Sequence, residues 1–114
     1  MALLVRADVP IMAGTDSPIY LLTPGFSLHE ELAVLVEFGL TPMQAIASAT
    51  STPAKYFGVE GKVGTIGPGK IADLVLLDQD PLLDIRNVSK IHAVVRSGKI
   101  YNRDKLDEML EARR

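Results

Sequence analysis

Cysteine is absent from this 114-residue chain, which rules out disulfide frameworks, thiolate zinc sites and cysteine nucleophiles. Histidine is scarce: only His29 and His92 occur, far apart in sequence. Catalytic zinc usually takes three protein ligands, so two distant histidines limit any metal site built from this chain alone. No basic stripe or polybasic cluster is present to meet a nucleic acid or an anionic membrane, and the formal net charge is −2 with a pI near 5.6. No apolar run reaches a bilayer-spanning length. The opening MALLVRADVPIMAG is interrupted by Arg6, Asp8 and Pro10, and it lacks a basic leader before a clean apolar core. Neither a signal peptide nor a membrane helix is expected, and the location expected is cytoplasmic. Internal repeats and low-complexity tracts are also missing.

What remains is the profile of a globular protein, 47% hydrophobic and 23% charged, long enough for one ordinary domain or a piece of a larger one. The segment Val9–Ala13 is apolar through most of its length instead of alternating. Such a run suits a strand covered on both faces, as in parallel sheets. After a turn-rich loop, TDSPIYLLTPGF, the series SLHEELAVLVEFGL predicts a helix: Leu28, Leu32, Leu35 and Val36 fall at helical spacing and Gly39 supplies the stop. Ser27 followed by Glu30 reads as a capping box. Thr41, Pro42 and Gln44 predict a second start at once, for a helix rich in small residues over Pro42–Ala49. A third short helix, Pro53–Phe57, stops at Gly58. The character then changes to a glycine-rich stretch, a compact apolar strand over Ala72–Leu77, and IHAVVRSGKIYN, a hairpin turning at Ser97-Gly98. Asn102 caps a closing polar helix with Leu106, Met109 and Leu110 on one stripe. The expected division is 1–58, 59–102 and 103–114, with the boundary near Gly58–Gly61.

Several motifs offer chemistry and most of them dissolve. Gly64 to Lys70 has the G-x-x-x-x-G-K spacing of a phosphate loop. Ile71 stands where the motif needs Ser or Thr, and a strand follows where it needs a helix. A glycine turn between strands is the better reading. Asp16-Ser17 lacks the glycine of an aspartic protease loop, because Pro18 takes that place. His29 falls in the first turn of a helix, where an exposed, non-functional position is the plainer alternative. His92 lies on the polar side of a hairpin strand. Asp16 is different. A carboxylate just past the C-terminal end of a buried parallel strand occupies the place where barrel and doubly wound folds put their chemistry. Capping of the following turn by Asp16 or Ser17 is the competing reading.

Taken in order, AGTDSP, SLHEELAVLVEFGLTPMQAIASAT, TPAKYFGVEGKVGTIGPGKIADLVLLDQDPL and VVRSGKIY resemble the C-terminal third of the amidohydrolase superfamily, above all its imidazolonepropionase and dipeptidase branch. The resemblance implies an α/β fold: the C-terminal portion of a (β/α)8 TIM-like barrel, then the C-terminal strands of a small β-sandwich domain and a terminal helix. It implies hydrolysis of a carbon–nitrogen bond in an amide, cyclic amide or dipeptide-like small molecule. It also implies one or two divalent metal ions, zinc in the usual case, with Asp16 as metal ligand and proton acceptor. Ser17, the loop Ile19–Phe26 and His29 would line the substrate mouth. The family's His-x-His pair and its other strand-end ligands have no counterpart here, and a barrel takes about 250 residues. The expectation is therefore a fragment, or a truncated relative, that does not catalyse or hold metal alone and associates with a missing N-terminal part or with itself. The alternative is a non-catalytic assembly module descended from such a hydrolase.

Overall fold

The computed structural model describes residues 2–17 and 23–112. Over these residues the chain is a mixed α/β structure in which a cluster of helices precedes a three-stranded antiparallel sheet. A short helix α1, Ala2–Arg6, opens it. The helix α2, Ser27–Glu37, follows, and its end is a Schellman motif. Gly39 takes φ 114°, its N–H donates to Val36 O at 3.0 Å, and Leu40 N–H donates to Leu35 O at 3.1 Å. The next helix, α3 (Pro42–Ser48), starts with the expected capping box. Gln44 N–H donates to Thr41 Oγ1 at 3.2 Å, and Thr41 N–H donates to Gln44 Oε1 at 2.8 Å. The helix α4, Ser51–Tyr56, closes with the same C-terminal device at Gly58, where φ is 67° and Val59 N–H reaches Ala54 O at 2.9 Å.

Three strands follow: β1 (Leu74–Leu77), β2 (Ile91–Arg96) and β3 (Lys99–Asn102), in that spatial order. Leu74 pairs with Val95 and Val95 with Ile100, with an irregularity between Leu76 and Leu77. Ser97 and Gly98 turn β2 into β3 with φ 49° and 79°, the two positive values that a type I′ turn requires. Asp73 Oδ1 accepts from Ser97 N–H at 2.6 Å, tying that turn to the approach of β1. Asn102 caps the last helix, α5 (Arg103–Glu111), by accepting from Lys105 N–H at 3.1 Å.

The core joins the two parts. Leu32 and Leu35 of α2, Leu40, and Ala45 of α3 cluster with Ile85, which opens a 3₁₀ turn, Ile85–Ser89, between β1 and β2. That turn is held locally: Asp84 Oδ1 accepts from Arg86 N–H at 2.9 Å, and the buried Asn87 donates its Nδ2–H to Asp80 O at 2.9 Å. Ile85 is only 4% exposed, so the segment after β1 reaches back across the chain to complete the helical core.

Two expectations fail. Residues 9–13 form no strand but run irregularly, with Val9 and Met12 exposed and Ile11 and Ala13 half-buried. No neighbouring strand pairs with them among the described residues, and Pro10 has no N–H to offer. The Ser27–Glu30 capping box is not made either. The N-cap is Phe26, without a side-chain cap, and Ser27 lies inside the helix, buried, with its N–H on Thr23 O at 3.0 Å. The preceding turn already supplies the carbonyls that the box would have replaced. The third helix also begins two residues earlier than expected, and β1 begins later, at Leu74. No helix among the described residues is long and apolar enough to cross a membrane.

Two substitutions test this arrangement by urea denaturation of the chain. Ile85→Ala should cost about 2–5 kcal/mol; a loss well under 1 kcal/mol would mean that Ile85 does not join the helices to the sheet. Gly64 has φ 89°, and a Cβ there would stand 2.6 Å from Ala54 Cβ and 2.9 Å from Thr50 O. Gly64→Ala should therefore cost about 2–4 kcal/mol, from overpacking and left-handed strain together.

Candidate functional site

The loop that carries Asp16 is suspended from two helices. Ala13 N–H donates to the carbonyl of Ser48, the last residue of α3, at 3.0 Å. Ser48 is itself fixed, 1% exposed, with its hydroxyl on Ala45 O at 2.6 Å. One residue on, Gly14 N–H donates to Glu31 Oε1 of α2 at 3.3 Å. Thr15 Oγ1 then accepts from Ser17 N–H at 3.4 Å, closing a small turn around Asp16. Asp16 sits at its apex, exposed, with φ 53°. A left-handed conformation costs an L-residue roughly 1–2 kcal/mol, and Asp tolerates it better than most because its short polar side chain can bond locally. The backbone thus bends to present one solvent-accessible carboxylate just after two residues tied to α3 and α2.

Glu31 escaped the sequence reading. Its signal is weak, since it is the second of two adjacent glutamates on a helix and nothing in its spacing points to Gly14. His29 lies in the first turn of α2, half-buried. Residues two apart on a helix do not share a face, so the Glu31 contact does not carry His29 to the Asp16 loop. Of the loop Ile19–Phe26, residues 19–22 lie outside the described residues. His92 is exposed on β2, with its Nδ1 2.9 Å from Asp78 Oδ1. Lys70 donates through Nζ to Glu60 O at 2.6 Å and to Thr65 Oγ1 at 2.5 Å. The lysine that a phosphate loop would need is thus engaged in bracing its own glycine turn.

Among the described residues no three His, Cys, Asp or Glu side chains come together to hold a metal ion. One exposed carboxylate is a single ligand, and the donor set beside Asp16 does not fit a resident metal by itself. A groove of about 740 Å³ opens between the segment Val5–Met12 and helices α3 and α4. Leu40, Ala47 and Tyr56 are on its wall, and Asp16 is not.

The family model described as "Amidohydrolase family" matches residues 1–101. The chain belongs to the amidohydrolase family. Imidazolonepropionase of Geobacillus kaustophilus (strain HTA426) is 34% identical over 105 residues, covering 89% of this chain and 24% of that protein. The solved structure of molinate hydrolase superposes with a TM-score of 0.80 at 33% identity, over 87% of this chain and 25% of its own. A Xaa-Pro dipeptidase with methionine bound in its active site gives 0.78 at 34% identity, over 86% of this chain and 23% of its own. The chain thus spans about a quarter of the length of these amidohydrolase-like relatives. The match stops at residue 101, just ahead of α5.

The role of Glu31 as loop anchor is open to test by amide exchange. Glu31→Ala should speed exchange at Gly14 roughly tenfold with little change in global stability. Glu31→Gln keeps an acceptor oxygen and should retain most of the protection. Equal exchange in all three proteins would remove Glu31 from the site.

Proposed function

We propose that this chain supplies the C-terminal part of a metal-dependent amidohydrolase that cleaves a carbon–nitrogen bond in an amide, cyclic amide or dipeptide-like substrate. In this reading residues 1–58 are the last strand and helices of a (β/α)8 barrel, 59–102 a contribution to a small β-sandwich, and 103–114 an added helix. The family membership and the names of the relatives, an imidazolonepropionase and a Xaa-Pro dipeptidase among them, support it. The observation that carries the choice of residue is Asp16: an exposed carboxylate held at φ 53° on a loop tied to α2 and α3.

Hydrolysis of a C–N bond needs a base for the attacking water and an acid for the leaving nitrogen. The Asp16 carboxylate would take the proton as the water oxygen bonds to the carbonyl carbon. It would return that proton to the nitrogen as the C–N bond breaks, leaving Asp16 ionised again. Anchorage on two helices keeps the carboxylate in one place through both transfers. The divalent metal that the resemblance implies, zinc in the usual case, would find one ligand in Asp16 and need the others from outside the described residues. Ser17 and His29 are the candidates for lining the substrate mouth, Ser17 as the nearer of the two.

The test uses a graft in which this chain replaces the matching C-terminal part of Geobacillus imidazolonepropionase. Asp16→Asn in that protein should lower turnover by about 10²–10⁴-fold with circular dichroism and melting temperature unchanged. Undiminished turnover would remove Asp16 from catalysis.

A further inference from the structure

Asp16 is held in a conformation that its residue type resists. Its φ of 53° lies in the left-handed region, and such backbone persists only where surrounding groups over-determine it. Ahead of it, Ala13 N–H is fixed to Ser48 O at 3.0 Å and Gly14 N–H to Glu31 Oε1 at 3.3 Å. Those two bonds set where the chain enters the bend. They do not set the direction in which it leaves.

The residues flanking Asp16 supply that direction, because they are bonded to each other across it. Ser17 N–H donates to Thr15 Oγ1 at 3.4 Å, and Thr15 and Ser17 are both half-buried while Asp16 between them is exposed. A hydroxyl that accepts from the N–H two residues on makes a local turn without help from the rest of the fold. Threonine is suited to this, since its branched Cβ leaves χ1 stiff and offers the oxygen in a restricted set of places. Closure of the turn bears on chemistry through the aim of the carboxylate. A general base must lie within about 2.6–3.2 Å of the proton it takes, and a misplacement of about 1 Å can cost on the order of 10²-fold.

We propose that Thr15 is a positioning residue: its hydroxyl holds the left-handed bend at Asp16 and so aims the carboxylate, without itself touching substrate. The inference rests on the reading of Asp16 as the proton acceptor. Because Thr15 acts through Asp16 and not on the bound molecule, its loss falls on kcat and leaves KM in place.

Thr15→Val and Thr15→Ser separate the hydroxyl from the shape, since valine keeps the branching and serine keeps the oxygen. In the chain itself, the Ser17 amide should exchange roughly tenfold faster in Thr15→Val than in the unaltered protein or in Thr15→Ser. Exchange at Leu32 and Leu35 should be the same in all three. In the graft onto Geobacillus imidazolonepropionase, Thr15→Val should lower kcat by about 10–100-fold with KM within about twofold, and Thr15→Ser should recover most of the loss. Equal Ser17 exchange in all three proteins would overturn the proposal. So would an equal loss of kcat in Thr15→Ser, which would make the role one of packing, and so would a loss carried by KM, which would make it a substrate contact. The reading of Asp16 fails separately. Turnover retained in Asp16→Asn removes the base, whereas turnover lost there but retained in Thr15→Val removes Thr15 alone.

Discussion

The burial of Ile85 among Leu32, Leu35, Leu40 and Ala45 is the contact on which the rest of this architecture depends. The two parts of the chain are otherwise built by separate rules. The helices are set by local stops and starts, and the sheet by a hairpin and one further strand. Neither is large enough to bury much surface, and a three-stranded sheet needs something to pack against. Ile85, with Val88 beside it on a 3₁₀ turn that Asp84 and Asn87 hold in shape, packs the segment after β1 onto the helical layer. The candidate site sits on that layer: the loop bearing Asp16 hangs from α2 and α3, the helices that Ile85 packs against.

What was legible in the sequence was local. Gly39 and Gly58 end helices because each takes a positive φ that other residues resist. Thr41 and Gln44 make their capping box because both partners lie within one turn of chain. Ser97-Gly98 and Asn102 behave as their residue types dictate. Where the outcome depends on groups distant in sequence, the pattern misleads. Ser27 has the right neighbour in Glu30, but burial and the carbonyls of the preceding turn decide its role. Val9–Ala13 has the composition of a central strand, but a strand exists only when another lies beside it. Among the described residues no strand lies beside it, and its path is irregular.

The candidate site divides along the same line. Asp16 stands out in the sequence because a carboxylate closes an apolar run ahead of a turn. Its left-handed backbone and its suspension from Ser48 and Glu31 are tertiary facts, set by residues 15 and 32 positions further on. Glu31 was invisible for that reason: its partner is a glycine N–H, and a backbone donor leaves no trace in the pattern of side chains. His29 lies two residues before Glu31 on α2, so the Glu31 contact does not by itself bring it to the loop.

The uncovered groove between Val5–Met12 and helices α3 and α4 also bears on the life of the chain in a cell. Exposed apolar grooves and unpaired amides are what chaperones and proteases read as unfinished folding. Abundance would then follow coverage: polypeptide with its groove filled would persist, and uncovered polypeptide would be cleared. The half-life of such a chain would then report how much of that groove is covered, with quality control as the sensor.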